Sequence, residues 1–310
     1  MGYTVSEVNY LSSNGKDKIY AEICVPDTEP RGIIQISHGM IDHFGRYSYL
    51  KERFTELGFI VAGNDHIGHG RSAESSEDLG YLGARGAEHI VDDLYTFNGI
   101  LHTRYPRLRT VLLGHSMGSF MARLYAEKYP DSIYALIIHG TGGKNPALLP
   151  GKAVVMAVEL FRGERHRSEL IRKLAFGSYN KRFDPSEGDE AWLTSVPELV
   201  KDRATDPYAS YTFTVSGYRE LFRALGACSS REHFASFPRR LPTLVISGKD
   251  DPVGNYGKGV SWVYESLKRR GVKNLTLKLY EGARHELFNE RERETIVNEM
   301  AEWIGETIHR

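Results

Sequence analysis

The chain has 310 residues, 41% of them hydrophobic and 26% charged, and its 40 Lys and Arg balance 40 Asp and Glu. That neutrality argues against nucleic acid as a partner and against global attraction to an anionic surface. Two cysteines, Cys24 and Cys228, lie far apart in sequence; they offer neither a disulfide framework nor metal-ligand spacing and are expected to be buried small hydrophobes.

Residues 4–11 and 18–25 flank Ser12-Ser13-Asn14-Gly15 and predict an antiparallel hairpin turning at Asn14-Gly15. From there the pattern becomes short β-branched or leucine-rich runs at 33–37, 60–63, 110–113, 135–139, 243–247 and 275–280, read as central strands buried on both faces. Helical periodicity fills the gaps at 49–57, 87–103, 120–129, 257–269 and 290–308. Alternating strands and helices predict an α/β fold, a mostly parallel sheet with helices on both sides. Between 142 and 240 no strand pattern is evident, while residues 153–161 and 170–176 read as apolar helices. The expected organisation is therefore a core in two parts, 1–141 and 241–310, with a helical cap inserted at 142–240. No run approaches the roughly 18 to 20 apolar residues of a membrane-spanning helix. Residues 1–9 lack the basic-then-apolar pattern of a secretion signal, so the expected location is cytoplasmic.

Gly114-His115-Ser116-Met117-Gly118 sits between a strand run and a helical run, the setting in which G-x-S-x-G forms a nucleophile elbow. A serine hydroxyl is a weak nucleophile at neutral pH, so it needs a base and a group that orients the base. His285 follows the last strand run, where a loop would stand at the same sheet edge as the elbow. Asp251, in Ser247-Gly248-Lys249-Asp250-Asp251-Pro252, follows the first strand run after the cap, with Asp250 as the alternative acid. The order Ser116, Asp251, His285 is the one expected for an elbow serine in this fold. Oxyanion donors are expected from the N–H groups of Met117 and of Met40, the latter just beyond His38-Gly39 at the end of an earlier strand run. His38 is expected to be a structural hydrogen-bonding residue. Asp65, His66 and His69 lie close enough to suggest a metal cluster, but the interspersed glycines favour a tight loop, and no metal or cofactor is expected.

These pieces together resemble the serine α/β-hydrolases, and more narrowly the monoacylglycerol lipase and lysophospholipase group, also classed with the serine aminopeptidase family. The matching residues are His38-Gly39 with Arg46-Tyr47, Asp65-x-x-Gly68-His69-Gly70-x-Ser72, Gly114 to Gly118, Gly248-x-x-Asp251 and His285. Where better-known lipases of the group carry a glutamate after His-Gly, this chain has Asp42. The resemblance implies an α/β-hydrolase fold and a small-molecule acyl ester as substrate. The reading is a serine hydrolase cleaving monoacylglycerol or lysophospholipid-type esters through an acyl-serine intermediate. Alternatives are a short-chain or aromatic carboxylesterase, a thioesterase or a peptidase using the same triad, a metal-dependent hydrolase, and a non-catalytic receptor on the same fold. Residues 148–161 with Tyr208, Tyr211 and Phe213 are expected either to line an acyl tunnel or to form the cap core. Val154, Val155, Met156 and Val158 motivate transient contact of the cap with a lipid surface.

Overall fold

The computed structural model describes residues 2–308. Its strands are β1 (Tyr3–Leu11), β2 (Lys18–Pro26), β3 (Ile33–Ser37), β4 (Ile60–Asn64), β5 (Thr110–His115), β6 (Ala135–His139), β7 (Thr243–Gly248) and β8 (Leu275–Tyr280). They form one sheet in the order β1-β2-β4-β3-β5-β6-β7-β8. The hairpin β1–β2 is antiparallel and joins β4 antiparallel, and all pairs from β4 through β8 are parallel. Every residue of β3 to β7 is buried, the reason these strands are uniformly apolar rather than alternating. β8 departs from the sequence reading. It ends the sheet and all its residues are half-buried, because an outer strand has a neighbour on one side alone.

The helices are α1 (Ser48–Glu56), α2 (Gly86–Arg104), α3 (Met117–Lys128), α4 (Leu148–Arg162), α5 (Glu169–Phe176), α6 (Val215–Cys228), α7 (Arg231–Ser236), α8 (Lys258–Arg269) and α9 (Arg293–Ile308). Side chains alternate across a strand, and β5 shows which helices cover which face. Leu112 packs in one cluster with Leu94 of α2, Met121 of α3 and Val263 of α8. Val111 and Leu113 pack on the opposite face with Phe54 of α1 and Met300 of α9. Both cysteines are buried.

Residues 142–240 lie between β6 and β7 and contain α4 to α7 with 3-10 turns. Tyr218, Leu221, Ala224 and Cys228 of α6 join the cluster around α3, whereas α4 contributes Val155 and leaves Leu149, Met156, Leu160 and Phe161 exposed. Among the described residues, no helix is long and apolar enough to cross a membrane.

Parallel strands place their C-terminal ends at one edge. The register pairs Ser37 with Gly114, His115 with His139 and Gly248 with Tyr280, so the loops after β3, β5, β6, β7 and β8 emerge side by side. β3 has β4 on one side and β5 on the other. Chain direction across the sheet reverses there, opening the crevice in which α/β folds place ligands.

Candidate active site

Ser116 occupies the turn between β5 and α3 with φ 53° and ψ −120°, a backbone state that residues with a Cβ seldom adopt. The turn is held from both sides: the Ser116 N–H donates to His139 O at 3.0 Å, and the Ser119 N–H and hydroxyl donate to Ser116 O at 2.9 and 2.6 Å. Its tightness requires the two flanking glycines. A Cβ on Gly118 would stand 2.0 Å from Ser37 O, and one on Gly114 would stand 2.4 Å from Gly118 O. Helix α3 starts at Met117, three residues before the periodicity implies, because the turn itself sets the first helical dihedrals. The Met117 N–H therefore belongs to the first turn, where N–H groups lack intrahelical acceptors. Ser116 itself is half-buried.

Asp251 and His285 come from the loops after β7 and β8. Asp251 is fully buried; its Oδ2 accepts from His285 Nδ1 at 2.9 Å and from the Ser247 hydroxyl at 3.2 Å, and its Oδ1 accepts the Val253 N–H at 2.8 Å. Asp250 is exposed. The bond to Asp251 fixes the imidazole with Nδ1 as donor, leaving Nε2 as its proton acceptor. His285 lies beside the elbow. Its ring is 5.0 Å from that of His115, and a Cβ on Gly140 would stand 3.1 Å from His285 Cε1 and 3.5 Å from His115 Cδ2.

The loop after β3 passes over the serine: a Cβ on Gly39 would stand 3.3 Å from Ser116 Cβ. His38 is a structural anchor, donating through Nδ1 to Gly39 O at 2.8 Å and accepting the His66 N–H on Nε2 at 2.9 Å. Burial lowers its pKa to about 4, which keeps it in this neutral state. Met40 is followed by Ile41 at φ 52° and by Asp42, whose Oδ2 takes the Gly39 N–H at 3.3 Å. Asp42 also accepts the His43 N–H, the Arg46 guanidinium and the Tyr47 hydroxyl, each at 2.9 Å. Burial would raise the Asp42 carboxyl, but the Arg46 guanidinium overrides it and holds it well below the usual carboxylate range.

Asp65, His66 and His69 each have local partners. Asp65 caps the N–H groups of Phe44 and Arg71, His66 meets the Ser37 hydroxyl, and His69 donates to Ile67 O. Phe213 is buried and packs against His69 and Tyr218, and Tyr211 packs beside it, whereas Tyr208 lies at the surface near His43. Sequence reasoning missed two neighbours of the site. Trp192, from the interval before β7, places its ring 5.0 Å from His285, and its carbonyl accepts the His285 N–H at 3.4 Å. Glu286 bonds Arg46 across the site at 3.2 and 3.3 Å. Neither has a local sequence signal, although Glu286 directly follows His285.

Residues 28–292 match the family model described as serine aminopeptidase, S33. The chain is 29% identical to the monoacylglycerol lipase of Mycolicibacterium smegmatis over 97% of each chain, and 26% identical to the monoglyceride lipase of Rattus norvegicus over 91% of this chain and 85% of that one. Among solved structures it is similar to a thermostable carboxyl esterase from Bacillus coagulans in complex with glycerol, with a TM-score of 0.92 and 31% identity over 98% of this chain and 99% of that one. A lipase in an open form gives a TM-score of 0.90 and 27% identity over 99% and 100% of the two chains. With an eight-stranded hydrolase sheet and a family match over most of its length, the chain belongs to the serine aminopeptidase S33 family of α/β-hydrolases.

Proposed function

We propose that this carboxylic ester hydrolase cleaves monoacylglycerol or lysophospholipid-type acyl esters through an acyl-serine intermediate. Ser116 Oγ attacks the ester carbonyl while His285 Nε2 takes its proton. The carbonyl oxygen, now an oxyanion, is met by the N–H groups of Met117 and Met40. Collapse expels the alcohol, which receives the proton from His285. Water then repeats the sequence on the acyl-serine, with His285 again as base, releasing the fatty acid and restoring the serine. Asp251 holds the imidazole tautomer and stabilises its charged form. These steps need no cofactor.

The observation that carries the reading is the buried Asp251–His285 hydrogen bond, set beside a half-buried serine in the strained elbow. The lipid-like substrate is supported by the monoacylglycerol lipases among the relatives and by an apolar surface on residues 142–240, the proposed cap. Leu149, Met156, Leu160 and Phe161 of α4 and Leu170 and Leu174 of α5 are more than half exposed, a surface suited to transient contact with lipid. Val155, expected to contribute to that surface, packs inward instead. A second reading, an esterase for shorter acyl chains, draws on the likeness to a Bacillus coagulans protein described as a carboxyl esterase rather than a lipase.

Turnover of a monoacylglycerol series from acetyl to palmitoyl separates the two. The lipid reading expects kcat/KM to hold or rise with chain length. A steep fall beyond butyryl would replace it with the short-chain reading, and no turnover of any member would remove both.

A further inference from the structure

Arg46 stands between the loop after β3 and the loop after β8 that carries the candidate base. It donates to Asp42 Oδ1 on the loop after β3 at 2.9 Å and to both oxygens of Glu286, the residue following His285, at 3.2 and 3.3 Å. The elbow joins the same network: the Tyr47 hydroxyl donates to Asp42 at 2.9 Å and accepts from His115 Nδ1 at 3.1 Å. Asn289 Nδ2 closes the far side on Glu286 at 2.6 Å. The arrangement is buried, with the side chains of Arg46, Asp42 and Glu286 exposed by 15%, 5% and 8%.

Carboxylates so placed would be costly without a cation between them. A planar guanidinium can serve two carboxylates at once through separate N–H groups, which a single ammonium does less well. The two carboxylates belong to different machinery. Asp42 fixes the backbone around Met40 by taking the Gly39 and His43 N–H groups, and Glu286 is covalently next to the candidate base.

We propose that Arg46 is a positioning residue that sets the separation between the Met40 N–H and the His285 imidazole by pairing with Asp42 and Glu286 together. This inference rests on the ester hydrolase reading with Ser116 as nucleophile. Arg46 touches no reacting atom; it acts through the two loops it joins. Loss of the clamp changes the geometry of the reacting groups more than the binding of the acyl chain, so its effect falls on kcat. A misplacement of about 1 Å in such a site costs on the order of 100-fold in rate.

The test is steady-state turnover of p-nitrophenyl butyrate by the full chain and by Arg46→Met, Arg46→Lys, Glu286→Gln and the Arg46→Met/Glu286→Gln double variant. Lys51→Met, which breaks the Lys51–Glu22 ion pair elsewhere in the molecule, controls for the general effect of losing a buried cation. Arg46→Met is expected to lower kcat about 100-fold with KM within about threefold. Arg46→Lys is expected to regain about tenfold, and the double variant to be no slower than Arg46→Met within about threefold, because the pair acts as a unit. Lys51→Met is expected to keep wild-type kcat at any cost in thermal stability. If Arg46→Met does not fold, the same kcat split in Arg46→Lys and Glu286→Gln decides. An unchanged kcat, a change confined to KM, or strictly multiplicative losses in the double variant overturns the inference while leaving the ester hydrolase reading intact. Wild-type protein that turns over no ester overturns both.

Discussion

Replacing Ser116 by glycine should make the protein more stable than replacing it by alanine, the reverse of the usual order. Both variants lack the hydroxyl, so its interactions cancel in the comparison. What differs is the backbone at φ 53°, ψ −120°. Holding a residue with a Cβ in so sparsely populated a state costs about 1–3 kcal/mol, and alanine retains that cost while glycine escapes it. Against this, glycine loses about 0.4–1 kcal/mol relative to alanine through the freedom of its unfolded chain. The net is about 1 kcal/mol in favour of Ser116→Gly, or roughly 0.3 M in the urea midpoint at an m value of about 3 kcal/mol/M. Equilibrium urea unfolding of both variants, with equal m values, measures it. A Ser116→Ala protein as stable as Ser116→Gly, or more so, would refute the argument that the elbow stores strain.

Three other outcomes follow from the same geometry. Asp251→Asn should lower kcat by about 10⁴-fold, because an amide in place of the carboxylate no longer enforces the His285 tautomer; steady-state turnover reads it, and a loss below tenfold would remove Asp251 from its role. Gly118→Ala should prevent stable folding or cost more than about 3 kcal/mol in thermal unfolding, since the methyl would stand 2.0 Å from backbone oxygen Ser37 O, which cannot rotate away. A variant with wild-type Tm would contradict that packing. Acidification should destabilise the fold. Burial holds His38 and His115 at about 4 and His69 at about 3, below the unfolded value of about 6.5. The unfolded chain therefore binds more protons between these values, and the contribution is complete above about pH 6.5 and lost as pH falls towards the folded pKa values. From pH 7 to 5 the loss is about 2 kcal/mol per histidine. Asp65 and Asp93, whose carboxyls burial raises, act with the opposite sign and reduce the sum. Urea midpoints at the two pH values check the direction, and equal stability at both would contradict it.

The strands from β3 to β7 were legible because their burial on both faces leaves an uninterrupted apolar run. β8 carries a similar run, yet its half-burial depends on its place at the end of the sheet, a fact of topology absent from its own residues. Helix α9 begins at Arg293 rather than Glu290 because Glu290 closes the 3-10 turn Leu287–Asn289 with an extended backbone, φ −93° and ψ 168°, and its carboxylate is held there by Ser195 and the Arg284 N–H, partners that local periodicity cannot register. The elbow could be read from five residues, since the turn's steric demands are local and leave glycines at fixed positions. Glu286 and Trp192 could not, because each gains its place at the site through a contact far along the chain.

Reaction with a fluorophosphonate, followed by mass mapping of the peptides, addresses the nucleophile directly. The expected result is one phosphonyl adduct, on Ser116, with both the adduct and ester turnover lost in Ser116→Ala. An adduct on another residue, or a Ser116→Ala protein that still labels and hydrolyses esters at the wild-type rate, would contradict the assignment of the elbow serine as the attacking group.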